Sequence, residues 1–271
     1  MTRNRELFRN KVCVVTGAAS GIGLQLSQDL LANGATVFMA DANKENLDKA
    51  FAELGEGKEL AVPFLVDVRE EPRVRELIEQ AAAHAGHLDY LFNNAGIGCT
   101  MPWEYSDLAM WKLVIDINLW GVVYALNAAI PIMKKQGFGH IINTSSLAGL
   151  LTPAYQTVYA ATKVAVTTIS ECLRFEMAHA GLNFTAVHPG NVATPIFKDL
   201  PAPPPDAVSV EDAVDFILDA VEGKQAFLVF PESSRKLFDG VQRLPDERSD
   251  QFHRELADER RVNYETKGSY Y

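Results

Sequence analysis

The chain has 271 residues, of which 48% are hydrophobic and 22% charged, with a formal net charge of −10. This composition points to a soluble globular protein and excludes a disordered one; the acidic balance excludes a nucleic-acid footprint, which needs a basic face. The three cysteines, Cys13, Cys99 and Cys172, form no Cys-x-x-Cys pair, so neither a zinc site nor a disulfide framework is expected.

In chain order, Met1 to Lys11 is basic but lacks the apolar core of a secretory signal. Lys11 to Thr16 reads as a strand. Thr16-Gly17-Ala18-Ala19-Ser20-Gly21-Ile22-Gly23 follows and opens a helical pattern that stops at Asn33-Gly34. A strand, a glycine-rich turn and a helix in that order form a phosphate cradle. Gly17 suits the positive φ of a tight turn, and Gly21 allows the backbone to approach a pyrophosphate. Gly23 lets the helix lie close to the strand. Free N–H groups at the helix start, with the positive dipole end, face the anion.

Ala35 to Ala40 is a second strand, ending at Asp41, 41 − 23 = 18 residues past the last glycine. A carboxylate there can accept from both ribose hydroxyls of adenosine and repels a 2′-phosphate. No Arg or Lys lies in the turn or directly after Asp41, and Lys44 is the nearest, which favours NAD over NADP. Lys44 to Leu54 reads as a helix, Leu60 to Val66 as a strand closed by Asp67, and Glu70 to Ala85 as a helix with an acidic first turn. Leu88 to Phe92 is a fourth strand. It runs into Asn93-Asn94-Ala95-Gly96-Ile97-Gly98, a turn at the strand end where open α/β sheets bind ligands.

Asp107 to Met133 holds one long helix or two in line, with Asn118 in the middle. Mid-helix Asn is a poor helix former, so it marks a bend or a polar group aimed at a site. Leu119 to Met133 is the longest apolar stretch; it contains Asn127 and is short for a membrane span, so a cytoplasmic protein is expected. Gly139 to Thr144 is a strand ending in Ser145-Ser146, Tyr155 to His179 a long helix, and Asn183 to His188 a sixth strand broken by Pro189-Gly190. Five prolines between Pro195 and Pro205 exclude helix or strand there, leaving an irregular loop over 191–207. Ser209 to Glu222 is a helix capped by Ser209, and Ala226 to Phe230 is the last strand. The alternation predicts βαβ units: one α/β domain over 1–230 on a doubly wound, Rossmann-type parallel sheet, followed by a charged, partly helical extension over 231–271.

Tyr159 and Lys163 lie four apart and share a helix face. A phenol titrates near 10, too high for a base at neutral pH, and a nearby cation lowers that value. Ser146, 159 − 146 = 13 residues earlier at a strand end, can donate to a substrate oxygen, and Asn118 adds a fourth polar group.

With these residues in order, the chain resembles the short-chain dehydrogenases/reductases, in their compact single-domain branch. The resemblance covers roughly Lys11 to Thr194 and rests on Thr16–Gly23, on Asn93–Gly96, on Ser146 with Tyr159 and Lys163, and on Pro189-Gly190 followed by Thr194. It implies that Tyr159 is the general acid/base, that Lys163 lowers its pKa and binds the nicotinamide ribose, and that Ser146 steadies the substrate oxygen. Asn118 would hold a water linking Lys163 to solvent. Asp67 and its neighbour Val68 would meet the adenine, and Asn94, Ala95 and Gly96 would support the cofactor cleft. Val192 and Thr194, after Pro189 and Gly190, would hold the carboxamide. The spacing of 13 matches Ser146, which leaves Ser145 as a structural neighbour.

The implied reaction is hydride transfer between NAD and a secondary alcohol or ketone. Cys99, Met101, Trp103, Leu147, Tyr155, Ile196 and Phe197 are candidate pocket residues; with few charges among them, an uncharged, fairly apolar substrate is expected. Two rival readings are a catalytically idle NAD-binding regulator and an isomerase or lyase with tightly held NAD. The helices Asp107–Met133 and Tyr155–His179 carry more apolar residues than one core-facing stripe needs, so a homodimer through them is expected, with a homotetramer in doubt because the chain's ending departs from the family pattern.

Overall fold

The computed structural model describes residues 5–197, 202–242 and 246–268. Parts of the expected loop (198–201) and of the expected extension (243–245 and 269–271) lie outside the described residues.

Among the described residues, seven strands form one parallel sheet in the order β3-β2-β1-β4-β5-β6-β7. They are β1 (Val12–Thr16), β2 (Thr36–Asp41), β3 (Ala61–Leu65), β4 (Tyr90–Asn93), β5 (Gly139–Thr144), β6 (Leu182–Pro189) and β7 (Phe227–Phe230). The helices are α1 (Gly21–Ala32), α2 (Lys44–Ala52), α3 (Glu71–Ala85), α4 (Leu108–Ile115), α5 (Gly121–Gln136), α6 (Thr157–Glu176), α7 (Val210–Glu222), α8 (Glu232–Gln242) and α9 (Asp246–Lys267). The strands read as continuous apolar runs because both sheet faces are covered. On β1, Cys13 and Val15 face a core shared with α1 and α7, whereas Val12 and Val14 face one shared with α3, α5 and α6. The strand order reverses between β1 and β4, and an open sheet has its ligand crevice at such a switch point, outside the carboxyl ends of the strands.

Local chemistry accounts for several boundaries. Ser209 caps α7 by accepting from the Asp212 N–H at 3.0 Å, and Asn43 caps α2 by accepting from Asn46 at 3.0 Å. The long helical pattern around Asn118 is one continuous run in which a single π-turn, Asp116–Trp120, joins α4 to α5. At 29 residues, Leu108–Gln136 is long and apolar enough to cross a membrane by length and composition, contrary to the reading of its apolar stretch as short. Its packing is that of a core helix: Val122, Ala125, Leu126, Ala129 and Met133 are buried against the sheet.

Two other expectations change. The helix expected from Tyr155 starts at Thr157, because Tyr155 itself adopts φ +66°. The prolines do not keep the loop wholly irregular: Pro195–Phe197 forms a short 3-10 turn, and Val192 makes a parallel bridge to Val208. A 3-10 turn tolerates a leading proline, whose missing N–H has no partner there anyway.

An N-terminal clamp, which no local sequence pattern announces, ties the chain's start to α7. Arg5 is 4% exposed, and its guanidinium pairs with Asp215, Asp219 and Glu222 on α7 at 3.1, 2.7 and 2.8 Å. Its backbone N–H donates to Asn33 Oδ1 at the end of α1.

Candidate active site

The site is built from the carboxyl ends of β1, β4 and β5. Gly17 and Gly21 take φ +68° and +52°, as the turn from β1 into α1 demands. A Cβ on Gly23 would lie 2.1 Å from the Gly17 carbonyl oxygen, so only glycine lets α1 sit this close. Ser20 is exposed at the N-cap, and Ile22 packs half-buried against the core. The turn is locked to the next one along the sheet. Thr16 Oγ1 accepts from the N–H groups of Asn94 and Ala95, both at 3.0 Å, and Asn94 Nδ2 donates back to the Thr16 carbonyl at 3.1 Å. Thr16 opens the glycine motif in sequence, but its hydroxyl bridge to the β4 turn carries no local signal.

Asp41 ends β2 beside the turn. Its Oδ2 accepts from the Ala19 N–H at 3.0 Å and its Oδ1 from Asn43 N–H at 2.8 Å. Asp67 is engaged by Arg69, whose Nε and Nη2 donate to its carboxylate and hold its pKa below the usual value. Val68 seats on α5: a Cβ on Gly121 would lie 2.9 Å from Val68 Cβ.

Three of the four polar residues come together, Tyr159 and Lys163 from α6 and Asn118 from the π-turn. Tyr159 lies on α6 in a small apolar cluster with Cys99, Val114 and Val158. One turn on, Lys163 Nζ is 5.7 Å from the centre of the Tyr159 ring and donates to the Thr144 carbonyl at 2.8 Å. Burial lowers the Lys163 ammonium to about 8. Asn118 is fully buried at the π-turn, where the widened backbone directs its side chain across to the β4 turn. It accepts from the Ile97 N–H at 2.8 Å and donates to the Ile97 carbonyl at 2.9 Å. A Cβ on Gly96 would meet Asn118 Oδ1 at 3.3 Å and Lys163 Nζ at 3.4 Å, which places these three groups against one another.

Ser146 and Ser145 divide their labour by exposure. Half-buried Ser146 follows the end of β5, and its Oγ accepts from the Ala148 N–H at 3.1 Å. Ser145 is buried; it donates to the Lys163 carbonyl at 2.8 Å and lies 2.8 Å from Thr167 Oγ1. Thr167 Oγ1 is in turn 3.0 Å from His188 Nε2, so β5, α6 and β6 share one buried polar chain. A buried ammonium one helical turn from a phenol puts two proton-carrying groups in one cluster, an arrangement suited to proton transfer.

On the far side, the Gly190 N–H donates to the Phe230 carbonyl at 2.7 Å as the chain leaves Pro189. Val192 is buried, and Thr194 reaches the glycine turn: a Cβ on Gly21 would lie 3.2 Å from Thr194 Cβ. Of the candidate pocket residues, Cys99 and Met101 pack with Tyr159. Ile196 approaches Gly98, Leu147 sits in the 3-10 turn after Ser146, and Tyr155 accepts from the Met101 N–H at 2.8 Å. Phe197 closes the short turn beside them. Trp103 is 65% exposed and leans edge-on to Trp111, on the outside of this wall.

Two buried histidines give the molecule a pH signature. Burial holds both His140 and His188 at about 4. An unfolded histidine titrates near 6.5, so between these values the unfolded chain binds more protons and stability falls as pH falls. Each contributes on the order of 3 kcal/mol at neutral pH that is lost on the way to pH 4. The urea midpoint should drop steadily from pH 7 to pH 4.5; a flat profile would contradict neutral burial of the pair.

Comparison with known proteins agrees with this geometry. Residues 11–204 match the family model described as short chain dehydrogenase. An uncharacterised oxidoreductase of Staphylococcus saprophyticus is 35% identical over 193 residues, which cover 71% of this chain and 82% of that one. A short chain dehydrogenase/reductase from Burkholderia phymatum, solved in complex with NAD, superposes with TM-score 0.78 at 25% identity, covering 90% of this chain and 95% of that chain. A short chain dehydrogenase from Burkholderia cenocepacia, in complex with NADP, gives TM-score 0.76 at 27% identity, with 89% and 96% covered. The glycine turn, the parallel sheet and these matches place the chain in the short-chain dehydrogenase family of oxidoreductases.

Proposed function

We propose that the protein transfers a hydride reversibly between NAD(H) and the carbinol carbon of an uncharged, fairly apolar secondary alcohol or its ketone. The observation that carries this is the meeting of Lys163, Asn118 and Gly96 beside Tyr159, at the carboxyl end of the sheet that also holds the glycine turn. The residues present fit a dinucleotide: the turn is bare of side chains at Gly17, Gly21 and Gly23, and Thr194 closes its far side. When bound, the nicotinamide supplies the hydride chemistry. Tyr159 takes the alcohol proton on oxidation and returns it on reduction. Lys163 stabilises the phenolate and meets the ribose, Ser146 orients the substrate oxygen, and Asn118 holds a water on the path from Lys163 to solvent. The walls formed by Cys99, Met101 and Ile196 favour an apolar substrate. A screen of secondary alcohols with NAD, followed at the NADH absorbance, tests the reading; no turnover of any alcohol or ketone would reject it.

Asp41 supports NAD over NADP. Two backbone N–H groups fix its carboxylate, and Lys44, the nearest cation in sequence, is paired with Asp48 at 2.5 Å. NAD is expected to bind at least about ten-fold better than NADP, or about 1.4 kcal/mol. Asp41→Ala should narrow that gap in calorimetric titrations, and equal affinities in the parent chain would overturn the assignment.

We place the protein in the cytoplasm and expect a homodimer, with a tetramer as a further step. The support is a stripe on α6, where Ala161, Val164, Thr168, Cys172 and Phe175 are exposed at helical spacing and uncharged. Trp120, at the start of α5, is exposed too. The C-terminal helices leave these side chains uncovered. An isologous contact through two such stripes would bury them and brace the helix that carries Tyr159. Thr168→Arg, in mid-stripe, should shift the scattering mass to one subunit of 29.8 kDa and lower activity; a parent chain already at that mass with full activity would exclude the dimer.

A further inference from the structure

Helix α9 lies beyond the residues that match the family model. Its half-buried residues Phe252, His253, Leu256, Ala257, Arg260 and Asn263 recur at three- and four-residue steps, so one face is turned to the body of the protein. On that face Arg260 Nη1 donates to the Ala154 carbonyl at 2.9 Å, a contact between residues 106 apart in sequence.

Ala154 stands between the turn that follows Ser146 and the helix that carries Tyr159. The residue after it, Tyr155, holds φ +66°. An aromatic side chain rarely adopts that conformation, which persists only where the surroundings over-determine it. The surroundings do so from two sides. Toward the site, the Met101 N–H donates to the Tyr155 carbonyl at 2.8 Å, and Gln156 Nε2 donates to Thr100 Oγ1 at 3.0 Å. Away from it, Arg260 holds the carbonyl next door. Met101 and Cys99 pack in the same cluster as Tyr159, so the segment over 154–156 sets how far that wall stands from the phenol.

We propose that α9 is the outer support of the substrate wall, and that Arg260 is a positioning residue which fixes 154–156 and, through Met101, the width of the pocket beside Tyr159. The planar guanidinium, a fork of donors on a long stem, suits such a reach better than the point charge of lysine. This inference rests on the function proposed above for its kinetic readout, and not for its structural one.

The test uses the full chain with Arg260→Met, which keeps the stem and removes the donors, and Arg260→Lys, which restores a charged donor group without the planar fork. In Arg260→Met the Met101 amide should exchange with solvent at least ten-fold faster. KM for the best alcohol found in the screen should rise at least five-fold, with kcat within two-fold and the NAD dissociation constant unchanged. Arg260→Lys should recover part of both effects. Unchanged exchange overturns the proposal. So does faster exchange with an unchanged KM, or a loss of kcat and NAD affinity alongside KM, which would indicate general loosening. If the parent chain turns over no alcohol or ketone, the proposed function fails, and the Met101 exchange rate alone then decides whether Arg260 positions the segment.

Discussion

Tyr159→Phe should lower turnover by at least about 10²-fold, the usual loss when a general acid/base is removed, while NAD binds with near-native affinity. The change deletes one oxygen and keeps the ring. That ring packs among Cys99, Val114 and Val158, and Lys163 Nζ lies 5.7 Å from its centre, so the cluster has no reason to rearrange. Single-turnover kinetics with NAD and the best alcohol, paired with calorimetric titration of NAD, separates the two effects. Near-native turnover in the variant would reject the assigned role.

Lys163→Met should also abolish most activity, yet leave the fold at least as stable. Burial lowers the Lys163 ammonium from 10.5 to about 8. A lysine whose folded pKa lies below its unfolded one destabilises the fold wherever it is charged. That cost is complete below about pH 8 and disappears above about pH 10.5; it is on the order of 3 kcal/mol. Removing the charge relieves it and forfeits the bond to the Thr144 carbonyl, worth about 1.5–3 kcal/mol for a charged donor. The two nearly cancel, with a small net gain. Differential scanning calorimetry at pH 7 should find Tm unchanged or a few degrees higher, with turnover at least about 10²-fold lower. A Tm several degrees below the parent would show that the ammonium holds the site together rather than straining it.

The sheet was legible because parallel strands buried on both faces leave unbroken apolar runs, and glycines at close approaches have no substitute. β5 follows the expected residues end to end, and the remaining strands shift only at their ends. The pair Tyr159 and Lys163 was legible because their spacing is one helical turn. Asn118 was half-legible: its poor helix propensity marked an irregularity, but not that the irregularity would be a π-turn aimed at Ile97. What escaped has no local period. Thr16 with Asn94, Ser145 with Lys163 and Arg260 with Ala154 are side chain–backbone bonds between distant segments. Tyr155 shows the same limit from the other side, since nothing in an aromatic residue announces a left-handed backbone imposed by its neighbours.

The Arg5 clamp has a temporal consequence. Its carboxylate partners are made much later: Glu222 follows it by 217 residues. At ribosomal rates of about 5–20 residues per second, that guanidinium waits roughly 10–40 s after leaving the tunnel before its cradle exists. Through that interval α1 and the first two strands can pair, but their edge toward α7 stays open to solvent and to other chains. Emergence of α7 therefore closes this end of the molecule like a latch, and the nascent chain is most exposed to holding chaperones just before that helix appears.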